Sequence, residues 1–185
     1  DYILSYSNNI NAGNATVTIT FKGNYTGSKS VNFKILPKAV TNAVVNDIGA
    51  YTYTGNKITP SVTVKEGNTT FVSGTDYTLT YANNTNVGTA TVTITFKGNY
   101  SGATSKTFVI SAKSADGLSI QSIANQKYTG KAITPSVVIK DGTKVLVLNT
   151  DYTVSYQDNM SSVIDAKSSR KARIVVTSED YAKSD

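Results

Sequence analysis

The chain repeats itself every 75 residues, and that period limits its fold more than any other feature. Asp1-Tyr2, Asp76-Tyr77 and Asp151-Tyr152 keep this spacing, and Phe21-Lys22-Gly23-Asn24-Tyr25 returns as Phe96-Lys97-Gly98-Asn99-Tyr100. Tyr53-Thr54-Gly55 with Ile58-Thr59-Pro60 returns as Tyr128-Thr129-Gly130 with Ile133-Thr134-Pro135. Residues 1–36 and 76–111 are identical at 23 of 36 positions. A fixed period of this length marks one supersecondary unit built several times. The frame reads 1–37 as the second half of a first module, 38–113 as a complete module, and 114–185 as a third, degenerate one. The third has an insertion around Asp165–Arg173 and reads Thr177-Ser178-Glu179-Asp180-Tyr181 where the second reads Phe96–Tyr100. It also lacks a counterpart of Phe108-Val109-Ile110, and so its last strand.

Within a module the apolar residues alternate. Val92, Ile94 and Phe96 are interleaved with Thr91, Thr93 and Thr95, as Val17, Ile19 and Phe21 are in the first module. Tyr77, Leu79 and Tyr81 oppose Thr78 and Thr80. Period-2 alternation specifies strands with one buried face. The expected core is Val62, Val64, Tyr77, Leu79, Tyr81, Val92, Ile94, Phe96, Phe108 and Ile110. Glu66-Gly67-Asn68 and Asp141-Gly142-Thr143 place glycine where a hairpin needs positive φ. Pro60 and Pro135 belong where no ladder hydrogen bond is required. About six to seven short strands per module predict an all-β chain of tandem immunoglobulin-like β-sandwich modules. β-Grasp-like and partly open barrel modules are the alternatives. A half-module such as 1–36 leaves strand edges open. It is expected to be completed by another segment, or the physical boundary departs from the repeat frame. Residues 1–36 of a second chain are candidates to complete the third module by strand complementation.

Composition excludes chemistries. The 185 residues include no Cys, His or Trp, and only Glu66 and Glu179 as glutamates. This removes disulfides, thiol nucleophiles, Ser-His-Asp catalysis and most zinc sites. The chain is therefore read as non-enzymatic, with no cofactor, no metal and no catalytic residue. Net charge is +6, from 18 Lys+Arg against 12 Asp+Glu, which is modest. No apolar run approaches the roughly 20 residues that span a bilayer.

The string from Tyr53-Thr54-Gly55 and Ile58-Thr59-Pro60, through Gly74-Thr75-Asp76-Tyr77 and the Asn83–Gly88 turn, to Phe96–Tyr100 and Phe108-Val109-Ile110 has a familiar form. It resembles the immunoglobulin-like tandem repeats of bacterial cell-surface proteins, and is similar to the MBG or YDG repeats of large adhesins. The resemblance implies an extracellular place, on the bacterial surface or secreted. It implies a structural or adhesion role as a stalk or spacer. A carbohydrate- or host-protein-binding module, working through loops at one end of the sandwich, is the second reading. Implied partners are neighbouring repeats and a glycan or host or surface protein, with no nucleic acid and no membrane span. The absence of cysteine agrees with export from a Gram-positive cell.

Eleven of the twelve tyrosines recur at fixed module positions and are read as core and turn anchors with the hydroxyl at the rim. Tyr51 alone has no counterpart, since Gln126 stands in its place, which makes it a ligand-binding candidate. Asn83, Asn84 and Asn86 are the others, repeated as Asn8, Asn9 and Asn11. Asparagine also serves turns by tolerating left-handed backbone. No EF-hand acid spacing accompanies them. Asp76 and Asp151 are expected to cap the turn before the tyrosine strand. The basic run Lys167–Arg173 holds both arginines and is read as a solvated loop. Lys22 and Asn24, like Lys97 and Asn99, share one turn and so are poorly placed for an isopeptide link across strands.

Overall fold

The computed structural model describes residues 1–157 and 173–182. It is nearly all-β, and its packing is of the β-sandwich type. The alternating stretches are the strands, because side chains two apart share a sheet face. β1 (Tyr2–Ser7), β2 (Gly13–Phe21) and β3 (Ser28–Ile35) come first. They are followed by β4 (Lys38–Ala39), β5 (Val44–Val45), β6 (Tyr51–Thr52), β7 (Val64–Glu66) and β8 (Thr69–Phe71). β9 (Tyr77–Ala82), β10 (Gly88–Phe96), β11 (Tyr100–Ser101) and β12 (Ala103–Ser111) complete the middle of the chain. The last group is β13 (Lys113–Ser114), β14 (Leu118–Ile120), β15 (Ile139–Asp141), β16 (Lys144–Val145), β17 (Thr153–Gln157), β18 (Arg173–Thr177) and β19 (Tyr181–Ala182). A 3-10 turn at Ala115–Gly117 is the one helical piece among the described residues.

The chain separates into two compact units. The first holds Asp1–Tyr51, Lys57–Asn84 and Gly88–Val109; the second holds Thr52–Asn56, Thr85–Val87 and the chain from Ile110 onward.

In the first unit the core lies between two layers. Sheet β5-β7-β8 contributes Val45, Val64 and Phe71, joined by Val62. The sheet ordered β6-β12-β10-β9 contributes Tyr77, Val92, Ile94 and Phe96. Every residue of the expected core is buried except Leu79 and Tyr81, which are half-buried. Val40, Val45 and Phe71 join it without an alternation signal, because their surroundings are too short to show one. Phe71 meets Phe96 and Tyr100 edge-on, each at 4.9 Å between ring centroids. Tyr77 and Phe96 are opposite each other in the β9/β10 register, with centroids 6.3 Å apart. A parallel two-residue pairing of β11 with β4 sets Tyr100 beside Lys38. Gly67 turns the β7–β8 hairpin at φ 56°, the positive value its position requires.

The β1-β2-β3 meander belongs to the same unit. Asn99 links to it at a turn: its Oδ1 accepts from the Ala12 amide at 2.7 Å, and its Nδ2 donates to Asn11 Oδ1 at 2.9 Å.

The second unit repeats these pairings. Sheet β14-β15-β16, ribbon β17-β18 and the parallel pair β13-β19 correspond to β5-β7-β8, β9-β10 and β4-β11. Gln126 and Lys127 stand 75 residues after β6 but form no strand. β6 pairs with β12, and among the described residues β12 has no counterpart here.

The register corrects one sequence match. Thr78 faces Thr95 in the first unit, and its counterpart Thr153 faces Thr177 in the second. Thr177 therefore matches Thr95, and Ser178 rather than Thr177 takes the place of Phe96. Tyr181 still matches Tyr100, because each lies beside the lysine that opens its module, Lys113 and Lys38. The intervening turn is one residue shorter. Where the first unit packs Phe71 and Phe96, the second has Leu146 and Ser178. A cavity of about 570 Å³ opens there, lined by Ile139, Leu146, Tyr152, Val176, Ser178 and Tyr181 among others. The insertion and the basic run lie outside the described residues, apart from Arg173.

Candidate functional site

Two tyrosines per module, four residues apart, bolt one layer to the other. Tyr77 donates its hydroxyl to the Val62 carbonyl at 3.1 Å, and Tyr81 to the Pro60 carbonyl at 2.5 Å. In the second unit Tyr152 donates to Val137 at 2.6 Å and Tyr156 to Pro135 at 2.6 Å. The hydroxyls thus reach inward to the facing backbone instead of ending at the rim. The Ile-Thr-Pro-Ser-Val stretch before β7 or β15 is irregular, so its carbonyls have no ladder partner, and the tyrosines supply one. Proline fits because no amide is needed there. Burial raises the Tyr81 pKa, with Tyr77 adding to it.

Each module also closes a loop with a carboxylate. Asp76 Oδ2 accepts from the Val72 amide and Asp151 Oδ2 from the Val147 amide, both at 2.7 Å. Glu66 accepts from the amides of Asn42 and Thr41 at 3.0 and 3.1 Å, and Lys38 stands 3.4 Å away. The Asn42 bond chiefly holds the Glu66 pKa low. At the corresponding place Asp141 receives Lys113 Nζ on both oxygens at 2.7 Å and the Tyr181 hydroxyl at 3.2 Å. Lys113 lowers the Asp141 pKa; burial first, and then Asp141, push that of Tyr181 well above the usual range. Tyr53 packs edge-on to Tyr181 at 5.8 Å, and Lys144 Nζ sits 5.8 Å from the centre of the Tyr53 ring.

The structure disperses the four ligand candidates. Tyr51 is partly exposed and leans edge-on against the buried Phe108, with centroids 5.7 Å apart. Asn83 holds a left-handed backbone at φ 54°, as Asn8 does at 53°. Asn84 turns inward: its Nδ2 donates to the Ile58 carbonyl at 2.9 Å, and its own carbonyl accepts from the Ile58 amide at 2.8 Å. These are turn and packing roles.

Asn86 is exposed and lines a polar cleft of about 720 Å³ in the second unit, with Asn149, Asp151, Thr177, Glu179 and Asp180 among its walls. Asp151 is already engaged with the Val147 amide. Among the described residues no group of three or more His, Cys, Asp or Glu side chains is placed to hold a metal ion. The Asn99 carboxamide is spent on Asn11 and Ala12. Among the described residues no helix is long and apolar enough to cross a membrane. Sequence reasoning missed the tyrosine-to-carbonyl bolts, although their signal was present. The Asp-Tyr-x-x-x-Tyr string and the Ile-Thr-Pro-Ser-Val string recur together.

Comparison of the chain with protein-family models, curated proteins and solved structures finds no match.

Proposed function

We propose that the chain is a non-enzymatic structural segment of a large bacterial cell-surface protein, a tandem-repeat stalk or spacer of immunoglobulin-like modules. One observation carries this reading: in both units the repeated Asp-Tyr-x-x-x-Tyr and Ile-Thr-Pro-Ser-Val residues are engaged in building the module. Tyr77, Tyr81, Tyr152 and Tyr156 bolt layers, Asp76 and Asp151 close turns, and Asn8 and Asn83 shape backbone. Such a chain acts through length, by stacking modules head to tail. Small-angle scattering on the full chain tests it. An elongated particle supports the spacer, and a single compact globule refutes it.

The polar cleft at Asn86 favours a second reading, a surface module that binds a glycan or a host protein. Amide and carboxylate groups on an open wall suit sugar hydroxyls. Glycan-array binding that is lost in Asn86→Ala but kept in Tyr51→Ala would select it; a blank array rejects glycan binding.

A further inference from the structure

The β1-β2-β3 sheet carries on one face Tyr2, Leu4, Tyr6, Val17, Ile19, Phe21 and Phe33, the residues that line or flank the core one module later, with Val31 where that module has Lys106. Its register places Tyr2 opposite Phe21, Leu4 opposite Ile19 and Tyr6 opposite Val17; Val31 and Phe33 continue that face opposite Val17 and Ala15. Directly opposed residues share a face. In β9 and β10 the counterparts Tyr77, Phe96, Ile94 and Val92 are all but sealed from solvent. Here Tyr2 is 59% exposed, Leu4 43%, Tyr6 54%, Val31 57% and Phe33 41%, while Val17, Ile19 and Phe21 on the central strand are half-buried.

The chain itself shows what covers such a face. Tyr77 and Tyr81 receive the Ile58–Val62 stretch and the β5-β7-β8 layer, which places Val45, Val62, Val64 and Phe71 on it. Tyr152 and Tyr156 receive Ile133–Val137 through carbonyls at the same offsets. Tyr2 and Tyr6 keep the same four-residue spacing. We propose that this face docks a polypeptide of the 38–75 type: a further front half-module of the same repeat, whose Ile-Thr-Pro-Ser-Val carbonyls accept from the Tyr2 and Tyr6 hydroxyls. The inference rests on the bolts and the exposed face, and holds for a spacer and for a binding module alike. The partner's chemistry is fixed in three respects. It needs two outward carbonyls two residues apart on an extended strand. It needs alternating valines behind them, and a proline where a free amide would be left unpaired.

The test uses the full chain with a synthetic peptide of the sequence 38–75 as probe, read by hydrogen exchange and mass spectrometry. Saturable protection of residues 2–35 is expected. Tyr2→Phe with Tyr6→Phe removes two hydrogen bonds of ordinary net strength and weakens binding about thirtyfold. Leu4→Lys abolishes it. All three positions are exposed, so the variants keep the fold. A peptide carrying Val62→Asp and Val64→Asp does not bind. The proposal is overturned if millimolar peptide leaves 2–35 unprotected, or if binding is indifferent to the tyrosine pair and to Leu4→Lys. It is equally overturned if the face becomes protected with rising protein concentration and no peptide, which would make a second copy the occupant.

Discussion

Filling the hole at Ser178 tests the register of the second unit. Ser178 stands where the first unit has Phe96, beside a cavity of about 570 Å³ lined by Leu146, Tyr152 and Tyr181. Ser178→Phe places an aromatic ring in that space. Burying a phenylalanine stabilises by about 1.5–3 kcal/mol. The change also removes the hydrogen bond from Ser178 Oγ to the Asp151 carbonyl, at a cost of about 1 kcal/mol. The net gain is about 0.5–2 kcal/mol. For a domain of 60–100 residues each kcal/mol moves the midpoint by about 4–8 °C. Differential scanning calorimetry of the full chain should show one transition move up while the other stays. Ser178→Ala, which loses the bond without filling the hole, should move the same transition down. The register is refuted if Ser178→Phe lowers the midpoint while Thr177→Phe raises it, because that outcome puts Thr177 on the inner face.

The reverse experiment is Phe96→Ala, which breaks the contacts with Phe71 and Tyr77 and should cost about 3–5 kcal/mol by denaturant titration. Tyr77→Phe leaves the Val62 carbonyl buried and unpaired, so about 1–3 kcal/mol should be lost although one oxygen is all that changes. The folded-state pKa of Asp141 lies below the ordinary 3.8, chiefly through Lys113. Its contribution is therefore present above about pH 4 and lost as the pH falls through the folded value. The stability difference between wild type and Asp141→Asn, read as midpoint against pH, should shrink below pH 4. Tyr181 is displaced the other way, so what its neutral form contributes holds below pH 10 and fades as the pH rises above it.

Most of the architecture could be read from alternation. Thr91–Phe96 and Tyr77–Tyr81 specified both strand and face, and the glycines at 67 and 142 specified hairpins that the structure contains. The missed two-residue strands are β4, β5, β6, β11, β13, β16 and β19. A pair of residues carries no period, and its pairing is decided by distant partners, as Lys38 is by Tyr100. The place of Ser178 was hidden for another reason. A one-residue slip exchanges the two faces of a strand, and Thr177 and Ser178 are equally plausible on either. At the candidate sites, sequence identified unusual residues but not their directions. Asn83, Asn84 and Asn86 lie within four positions, yet one shapes backbone, one turns inward and one faces a cleft. Tyr51 has Gln126 in its place, and among the described residues β6 has no counterpart in the second unit; the Tyr51 ring leans on Phe108.

Residues 1–36 and 76–111 share 23 of 36 residues, the same strand pattern and the same register of Tyr2 or Tyr77 against phenylalanine. They differ in cover: the β5-β7-β8 layer lies on the second and not on the first. If module stability comes from the bolted layer, nearly identical strands must differ in protection. Native-state hydrogen exchange on the full chain measures this directly. Amides of β9, β10 and β12 should exchange on the order of 100-fold more slowly than their counterparts in β1, β2 and β3. Equal protection of the two stretches would contradict it, and would mean that strand sequence alone, without the covering layer, holds the sheet.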